Sequence, residues 1–218
     1  MSDLQPRLFL VSPVLAGAEP FSAALAQACG AADVAAVLLR FAPADERSLV
    51  NAIKALAPLA QEAGAAVMVE LAEGLDAAQI SARGGADGMH GGNPSELSEL
   101  RGRLRDGRML GAGQLRTKHD AMTAGEAGVD YVMFGEPRPD GYVPPLEETV
   151  ERAQWWAEIF ETPCAAYAAR LEDLPELVRT GAEFVALGEA VWSHPAGPAE
   201  AVRQVAGALA DAAKEPER

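Results

Sequence analysis

Short unbroken apolar runs alternate along the chain with longer segments in which apolar residues recur every three or four positions. The segment 45–63 shows this helical spacing, and it ends at a glycine. The unbroken runs are typical of strands buried on both faces, as in a parallel sheet. The pattern predicts eight strand–helix units, with strands over or within residues 8–12, 34–39, 66–69, 85–90, 108–112, 128–135, 164–167 and 184–187.

One phrase recurs where several of these strands begin: a glycine, a small residue, an acidic residue and a short apolar run. It occurs at 85–90, 128–135 and 181–188. Glycine ends a helix readily because it adopts a left-handed backbone conformation at little steric cost. Strict strand–helix alternation without a linker predicts one α/β domain, and eight units in this length predict a closed (β/α)8 TIM barrel over residues 1–218. Residues 213–218 are predicted to form a frayed tail.

Several helical details are predicted as well. Pro58 lies inside the segment 45–63 and predicts a kink or break there. Ser95 is expected to cap the helix after strand four. Trp155 and Trp156 point to different faces of one helix, so one is expected in the core and the other at an outer surface or an interface.

The composition excludes several kinds of partner and indicates the state of the two cysteines. The 218 residues carry a formal net charge of −14, which argues against nucleic acid or an anionic membrane as partner. No segment resembles a signal peptide, and no apolar run is long enough to cross a bilayer. Cys29 and Cys164 belong to no CxxC or Cys/His cluster, so they are expected to be buried thiols of a cytoplasmic protein.

Residues at the C-terminal ends of the strands are the candidates for a ligand site, because barrel enzymes place their chemistry there. Three carboxylates around one arginine would make an acidic pocket, which favours a cationic or amine-bearing ligand. Crowded carboxylates are also expected to raise the pKa of at least one of them, which suits acid–base chemistry. The candidate catalytic residues are Glu136, Glu70 and His90, and the candidate ligand-binding residues are Arg40, Asn93, Gln114, Gly188 and Glu189.

Two alternatives stay open at this point. Some of these glutamates could instead cap helices or pair with arginines such as Arg40, and His90 could be a packing histidine. Gly111-Ala112-Gly113 begins like a dinucleotide-binding fingerprint, but the third glycine is missing and the run follows the fifth strand. No histidine or cysteine spacing indicates a metal site, so none is predicted.

The strand sequences resemble thiamine-phosphate synthases and their TenI-type relatives. Residues 8–12, 85–90, 128–135 and 181–187 are similar to the first, fourth, sixth and eighth strands of that family. The resemblance implies a TIM barrel that joins a pyrimidine diphosphate to a thiazole phosphate. It also implies Mg²⁺, basic residues after strand two, and glycine-rich phosphate sites after strands seven and eight.

The chain departs from that family pattern at several strand ends. Of the basic residues that the resemblance implies after strand two, this chain has only Arg40. Leu71 and Ser95 stand where the resemblance implies metal-binding aspartates, and neither is a good ligand for a hard cation. The other departures are Ala168 and Ala169 at the glycine pair, Glu189 at a phosphate-binding serine, and Glu136 at the histidine base of TenI-type tautomerases.

These departures lead to a hypothesis with two alternatives. The sequence predicts a divergent small-molecule enzyme or binding protein that is not a synthase, works without cofactor or metal, and uses Glu136 or Glu70 as a base. The alternatives are a genuine Mg²⁺-dependent synthase with relocated ligands and a catalytically silent regulatory protein. An enzyme would be a synthase-like transferase or a TenI-like isomerase. The expected ligand is thiazole-like, pyrimidine-like or cationic, and a homodimer is left open.

Overall fold

The strands close into a barrel, which confirms the predicted single-domain TIM barrel. The structure, a computed structural model, describes residues 5–19 and 21–212. All eight strands pair in parallel and in chain order, and β8 closes the barrel by pairing with β1. The predicted tail at 213–218 and the predicted domain ends lie outside the described residues. The strands are β1 (Arg7–Leu15), β2 (Val34–Phe41), β3 (Ala66–Glu70), β4 (Gly88–Gly91), β5 (Met109–Ala112), β6 (Tyr131–Phe134), β7 (Cys164–Ala168) and β8 (Phe184–Leu187).

Helices follow the strands and surround the barrel. Short 3-10 turns, Pro94–Glu96 and Leu171–Asp173, precede α4 and α7. The helix α8, which has one turn, was not predicted. The helices are α1 (Ser22–Cys29), α2 (Glu46–Gln61), α3 (Ala77–Gly84), α4 (Leu97–Arg103), α5 (Lys118–Glu126), α6 (Leu146–Ile159), α7 (Leu174–Val178), α8 (Glu189–Trp192) and α9 (Pro198–Ala212).

The repeated glycine–acid phrase has a structural explanation. Its glycines, at 85, 128 and 181, have positive φ angles of 83°, 75° and 80°. Its acidic side chains accept a hydrogen bond from a backbone N–H at the start of the preceding strand. The phrase therefore ends a helix and ties each new strand to its neighbour. The donor–acceptor pairs are Val67 to Asp87 (2.7 Å), Leu110 to Asp130 (2.7 Å) and Cys164 to Glu183 (2.9 Å).

Side chains alternate between two cores. The inner core fills the barrel with residues such as Phe9, Leu38, Met68 and Met133. The outer core holds the residues between them along each strand, packed against the helices. This alternation follows from the two-residue period of a strand. It identifies which strand-end residues point into the barrel.

Three details differ from expectation. Strand β1 continues through Pro13 with an irregular register, and the indole of Trp192 donates to the Val11 carbonyl there (2.6 Å). Pro58 does not break α2 into two helices, because it lies in the last turn, where few backbone hydrogen bonds remain to be interrupted. Ser95 is not the cap; the Asn93 side chain accepts its N–H instead.

The paired tryptophans behave as predicted. Trp156 is fully buried, and its indole donates to the Thr162 carbonyl (2.7 Å). Trp155 is partly buried, and the Lys118 ammonium lies over its ring. Among the helices of the described chain, none is long and apolar enough to cross a membrane.

Candidate active site

Arg40 and Glu70 point into the C-terminal mouth of the barrel. Leu38 and Met68 belong to the inner core, so residues two positions further along β2 and β3 face the same interior. Arg40 and Glu70 are register partners, and Arg40 Nε donates to Glu70 Oε2 over 2.8 Å. The alternative that a predicted glutamate pairs with Arg40 is confirmed for Glu70.

His90 occupies the same interior from β4 and is buried. Its Nδ1 atom lies 2.8 Å from the hydroxyl of Tyr131, a buried inner-core residue of β6. Burial lowers the pKa of His90 to about 4; the charge of Glu70 opposes this shift, and that of Arg40 adds to it. Burial also raises the pKa of Tyr131. Both side chains are therefore uncharged at neutral pH, and His90 is a buried, hydrogen-bonded histidine and not a solvated one.

The two glycines of Gly111-Ala112-Gly113 make room for these side chains. A β-carbon on Gly111 would collide with the Tyr131 ring, and one on Gly113 would collide with Nε2 of His90 and lie 2.6 Å from Oε1 of Glu136. The motif is therefore explained by packing inside the barrel. It also shows that His90 and Glu136 both approach the backbone of β5 at one point.

Glu136 follows β6 and is buried, with 8% of its surface exposed. Its carboxylate accepts the backbone N–H of Gln114. Burial raises the pKa of Glu136 to about 7, although the Gln114 N–H lowers it; Glu70 adds a smaller upward effect. The predicted rise in a glutamate pKa is confirmed, but the main cause is burial and not crowding of like charges. We call Arg40, Glu70, His90, Tyr131 and Glu136 the mouth cluster.

Gln114 has an unusual backbone conformation and an unsatisfied side-chain atom. Its φ angle is +56°, which non-glycine residues seldom adopt. Its amide nitrogen donates to the Pro137 carbonyl (3.3 Å), while its side-chain oxygen is buried without a hydrogen-bond partner. Buried acceptors of this kind are rare and call for an explanation.

Tyr167 lies beside the loop after β8. Its hydroxyl is hydrogen-bonded by the backbone of Glu189, and burial is the main cause of its raised pKa. A β-carbon on Gly188 would lie 2.5 Å from that hydroxyl. Gly188 and the Glu189 backbone thus lie against the phenol at the C-terminal end of β8, and their roles in ligand binding remain predictions.

Asn93 is a predicted site residue with no described hydrogen bond to the mouth cluster. Its side-chain oxygen accepts from the N–H and hydroxyl of Ser95, and its amide donates to Glu96 (2.7 Å). These contacts stabilise its own loop. Its role in ligand binding remains a prediction. Tyr131, by contrast, was missed, because an aromatic residue within an apolar strand has no sequence signal that separates it from core.

The described side chains do not fit a magnesium site. No group of three or more His, Cys, Asp or Glu residues within 5–19 and 21–212 could hold a metal ion. Glu70 is engaged by Arg40, and Leu71 beside it offers no oxygen. Since Mg²⁺ requires oxygen ligands in near-octahedral geometry, no role is assigned to the ion.

Known proteins match the chain over almost its whole length. A family model described as thiamine monophosphate synthase matches residues 8–191. The chain belongs to this family. The thiamine-phosphate synthase of Rhodospirillum centenum is 37% identical over 199 residues, covering 90% of this chain and 94% of the relative. That of Hyphomonas neptunium is 35% identical over 208 residues, covering 90% of each.

Solved structures show the same fold. A thiamine phosphate pyrophosphorylase from Pyrococcus furiosus superposes with a TM-score of 0.75 at 20% identity, covering 96% of this chain and 98% of that one. A 3-hexulose-6-phosphate synthase superposes with a TM-score of 0.70 at 14% identity, covering 92% and 99%. At these identities the likeness concerns the fold alone.

The hypothesis of a non-synthase is wrong. Relatives that are 30–37% identical over about 90% of this chain are named thiamine-phosphate synthase, which favours the alternative of a genuine synthase. The non-synthase hypothesis rested on single positions, such as Leu71 and Ala169, and assumed that each function requires one particular residue type. Identity distributed along the whole barrel outweighs those substitutions.

Proposed function

We propose that this protein condenses a pyrimidine diphosphate with a thiazole phosphate to form thiamine phosphate. The observation that carries the proposal is the 37% identity to a thiamine-phosphate synthase across 90% of this chain. The mouth cluster supports it, because it gathers charged and polar groups at the end of the barrel where such enzymes react their substrates. Further ligand-binding roles for Asn93, Gly188 and Glu189 are part of the proposal.

Arg40 is the proposed diphosphate-binding residue. Glu70 uses its Nε donor, and a guanidinium has four other N–H groups with which to bind phosphate oxygens. In the reaction the carbon–oxygen bond to diphosphate breaks, and diphosphate leaves with the electron pair. The thiazole nitrogen then forms its bond to the same carbon. Arg40 would stabilise the negative charge that develops on the leaving group.

Glu136 and His90 are proposed to contact the heterocyclic part of the substrates. Both lie beside Gly113 at the barrel mouth. An uncharged imidazole and a buried carboxyl group can donate and accept hydrogen bonds without attracting a counterion. Glu70 is proposed to orient Arg40. Location in the cytoplasm and assembly as a homodimer remain predictions.

A condensation assay tests the function. Purified protein is incubated with both substrates, in parallel with Mg²⁺ and with a chelator, and thiamine phosphate is measured by mass spectrometry. Product formation is expected, with at least a tenfold loss of kcat/KM in Arg40→Met. The exposed Arg47→Met serves as the matched control and should keep full activity. No product from micromolar enzyme in either condition would overturn the proposal.

A further inference from the structure

The turn between β5 and α5 is held by side chains from outside it. Within the described chain, residues 114–116 make no hydrogen bond from backbone to backbone. Glu136, after β6, accepts the N–H of Gln114 instead, and Asp120, in α5, accepts that of Arg116 (3.0 Å). The conformation of this turn therefore depends on the side chains that surround it.

Arg152 of α6 binds the two carbonyl groups of the same turn. Its Nη1 donates to the Leu115 carbonyl over 2.6 Å, and its Nη2 donates to the Arg116 carbonyl over 2.5 Å. Glu148, one helical turn earlier, pairs with the same Nη2 (2.5 Å). The Arg152 side chain is only 19% exposed, so water competes little for these bonds. A guanidinium suits this role because its N–H groups form a fixed planar fork that reaches several acceptors.

The backbone at the start of the turn needs such support. Gln114 has a φ of +56°, a conformation that persists in non-glycine residues where the surrounding structure imposes it. Its own side chain contributes one hydrogen bond, to the Pro137 carbonyl (3.3 Å), and the amide oxygen has no partner. This backbone conformation nevertheless directs the N–H of Gln114 to the buried carboxyl group of Glu136. A ligand-binding role for the Gln114 side chain remains a prediction.

We infer that Arg152 is a positioning residue, which fixes the turn 114–116 so that the Gln114 N–H stays on the carboxyl group of Glu136 at the barrel mouth. The three residues border one small cleft. Arg152 acts through the turn, since both of its terminal nitrogens are engaged by the carbonyls and by Glu148. The consequence for catalysis rests on the proposed function, in which Glu136 contacts the heterocyclic part of the substrates.

The hydrogen bond from Gln114 affects the titration of Glu136, which makes the inference measurable. Burial raises the pKa of Glu136 to about 7, and the N–H of Gln114 lowers it. If the turn moves and this bond is lost, the pKa should rise further. The other charged and titratable groups around Glu136 are unchanged in the variants below: Arg40, Glu70, His90, Tyr131, Arg138, Glu148 and Tyr167.

NMR of the full chain tests the inference without turnover. Glutamate labelled with 13C at its carboxyl carbon reports the pKa of Glu136, whose signal is assigned with Glu136→Gln. Labelling with 15N reports hydrogen exchange at the Gln114 amide. Arg152→Met should raise the pKa of Glu136 by about 1, because a hydrogen bond to a charged group is lost. It should also speed exchange at the Gln114 amide by roughly tenfold or more.

Three further variants distinguish positioning from the loss of a positive charge. Arg152→Lys keeps the charge but lacks the planar fork, so it should still raise the pKa of Glu136, by a smaller amount. Gln114→Gly removes the backbone strain, and in this background Arg152→Met should raise the pKa less than half as much. A pure charge effect would be the same in both backgrounds. Arg203→Met is the matched control, because it removes a helical arginine whose partner is Glu200, and it should change neither reading.

The condensation assay adds the catalytic readout. The pH profile of kcat/KM should move to higher pH in Arg152→Met and stay in place in Arg203→Met. A moved profile with a raised pKa supports the inference. A raised pKa with an unmoved profile would show that the reaction does not use the turn, which overturns it.

The NMR results can overturn the inference on their own. An unchanged pKa and unchanged amide exchange in Arg152→Met would do so, as would an equal rise of the pKa in the two backgrounds at position 114. Should Arg152→Met fail to fold, Arg152→Lys provides the same comparison. Absence of product from the wild-type protein would remove the proposed function alone, because the titration and the exchange require no turnover.

Discussion

Arg40 and Glu70 are register partners on adjacent strands, and the guanidinium Nε donates to the carboxylate over 2.8 Å. The two side chains are only 17% and 24% exposed. The Arg40 backbone N–H also donates to the hydroxyl of Ser12 (2.9 Å). The arginine is therefore held at the barrel mouth by contacts with both neighbouring strands before any substrate arrives.

Two substitutions of Glu70 should distinguish the effect of its charge from the effect of its hydrogen bond to Arg40. Glu70→Gln keeps an oxygen for Arg40 and removes one negative charge near the proposed diphosphate position. We expect the KM for pyrimidine diphosphate to fall by a factor of about 5, corresponding to roughly 1 kcal/mol. Glu70→Ala loses the oxygen too and should lower kcat/KM at least tenfold. Steady-state kinetics at fixed ionic strength checks both variants. Equal losses of kcat/KM in the two variants would show that the charge and the hydrogen bond of Glu70 do not have separate effects.

Glu136 should make stability depend on pH in a predictable direction. Its pKa is raised from 4.5 to about 7, so between these values the folded protein keeps a proton that the unfolded chain releases. The stabilisation is complete below pH 4.5 and is lost as the pH rises to 7. The free energy of unfolding of the wild type, minus that of Glu136→Gln, should fall across this window by on the order of 3 kcal/mol.

His90 acts in the opposite direction, which is why the variant difference is measured. Its pKa is lowered from 6.5 to about 4, so its contribution to stability grows as the pH rises from 4 to 6.5. Arg40, Glu70 and Tyr131, which also face this region, are the same in both proteins. Urea unfolding at pH 4.5, 5.5, 6.5 and 7.5 provides the test. A difference that does not change with pH would show that Glu136 titrates normally.

Gly113→Ala should destabilise the protein. The added methyl group would collide with His90 and lie 2.6 Å from the Glu136 carboxylate, and overpacking of this kind costs about 1–3 kcal/mol. Gly207→Ala is the matched control, because it lies in helix α9 with nothing within 4 Å of the new methyl group. It should be stabilising by about 0.5–1 kcal/mol. Thermal or urea unfolding compares the two, and a neutral Gly113→Ala would contradict the packing around His90.

Sequence patterns were sufficient to predict the fold, because the signals that end helices and begin strands are local. Glycines 85, 128 and 181 end helices through their own backbone freedom, and Asp87 and Asp130 begin strands at the same offset in each repeat. The patterns also predicted that Arg40, Glu70, His90 and Glu136 meet. The C-terminal ends of parallel strands converge at one end of a barrel, whatever the loops contain. The break predicted at Pro58 is absent because the proline lies in the last turn of α2, and the cap predicted at Ser95 was wrong because Asn93 caps that turn.

The sequence by itself therefore determined the barrel and the end of it that carries the site, since strand periodicity and glycine stops act over a few residues. Only the tertiary structure decided which partners the site residues have. Arg40 and Glu70 are 30 residues apart in the chain, and His90 and Tyr131 are 41 apart. Their contacts, and the burial that raises the pKa of Glu136, depend on side chains that distant strands bring together inside the barrel.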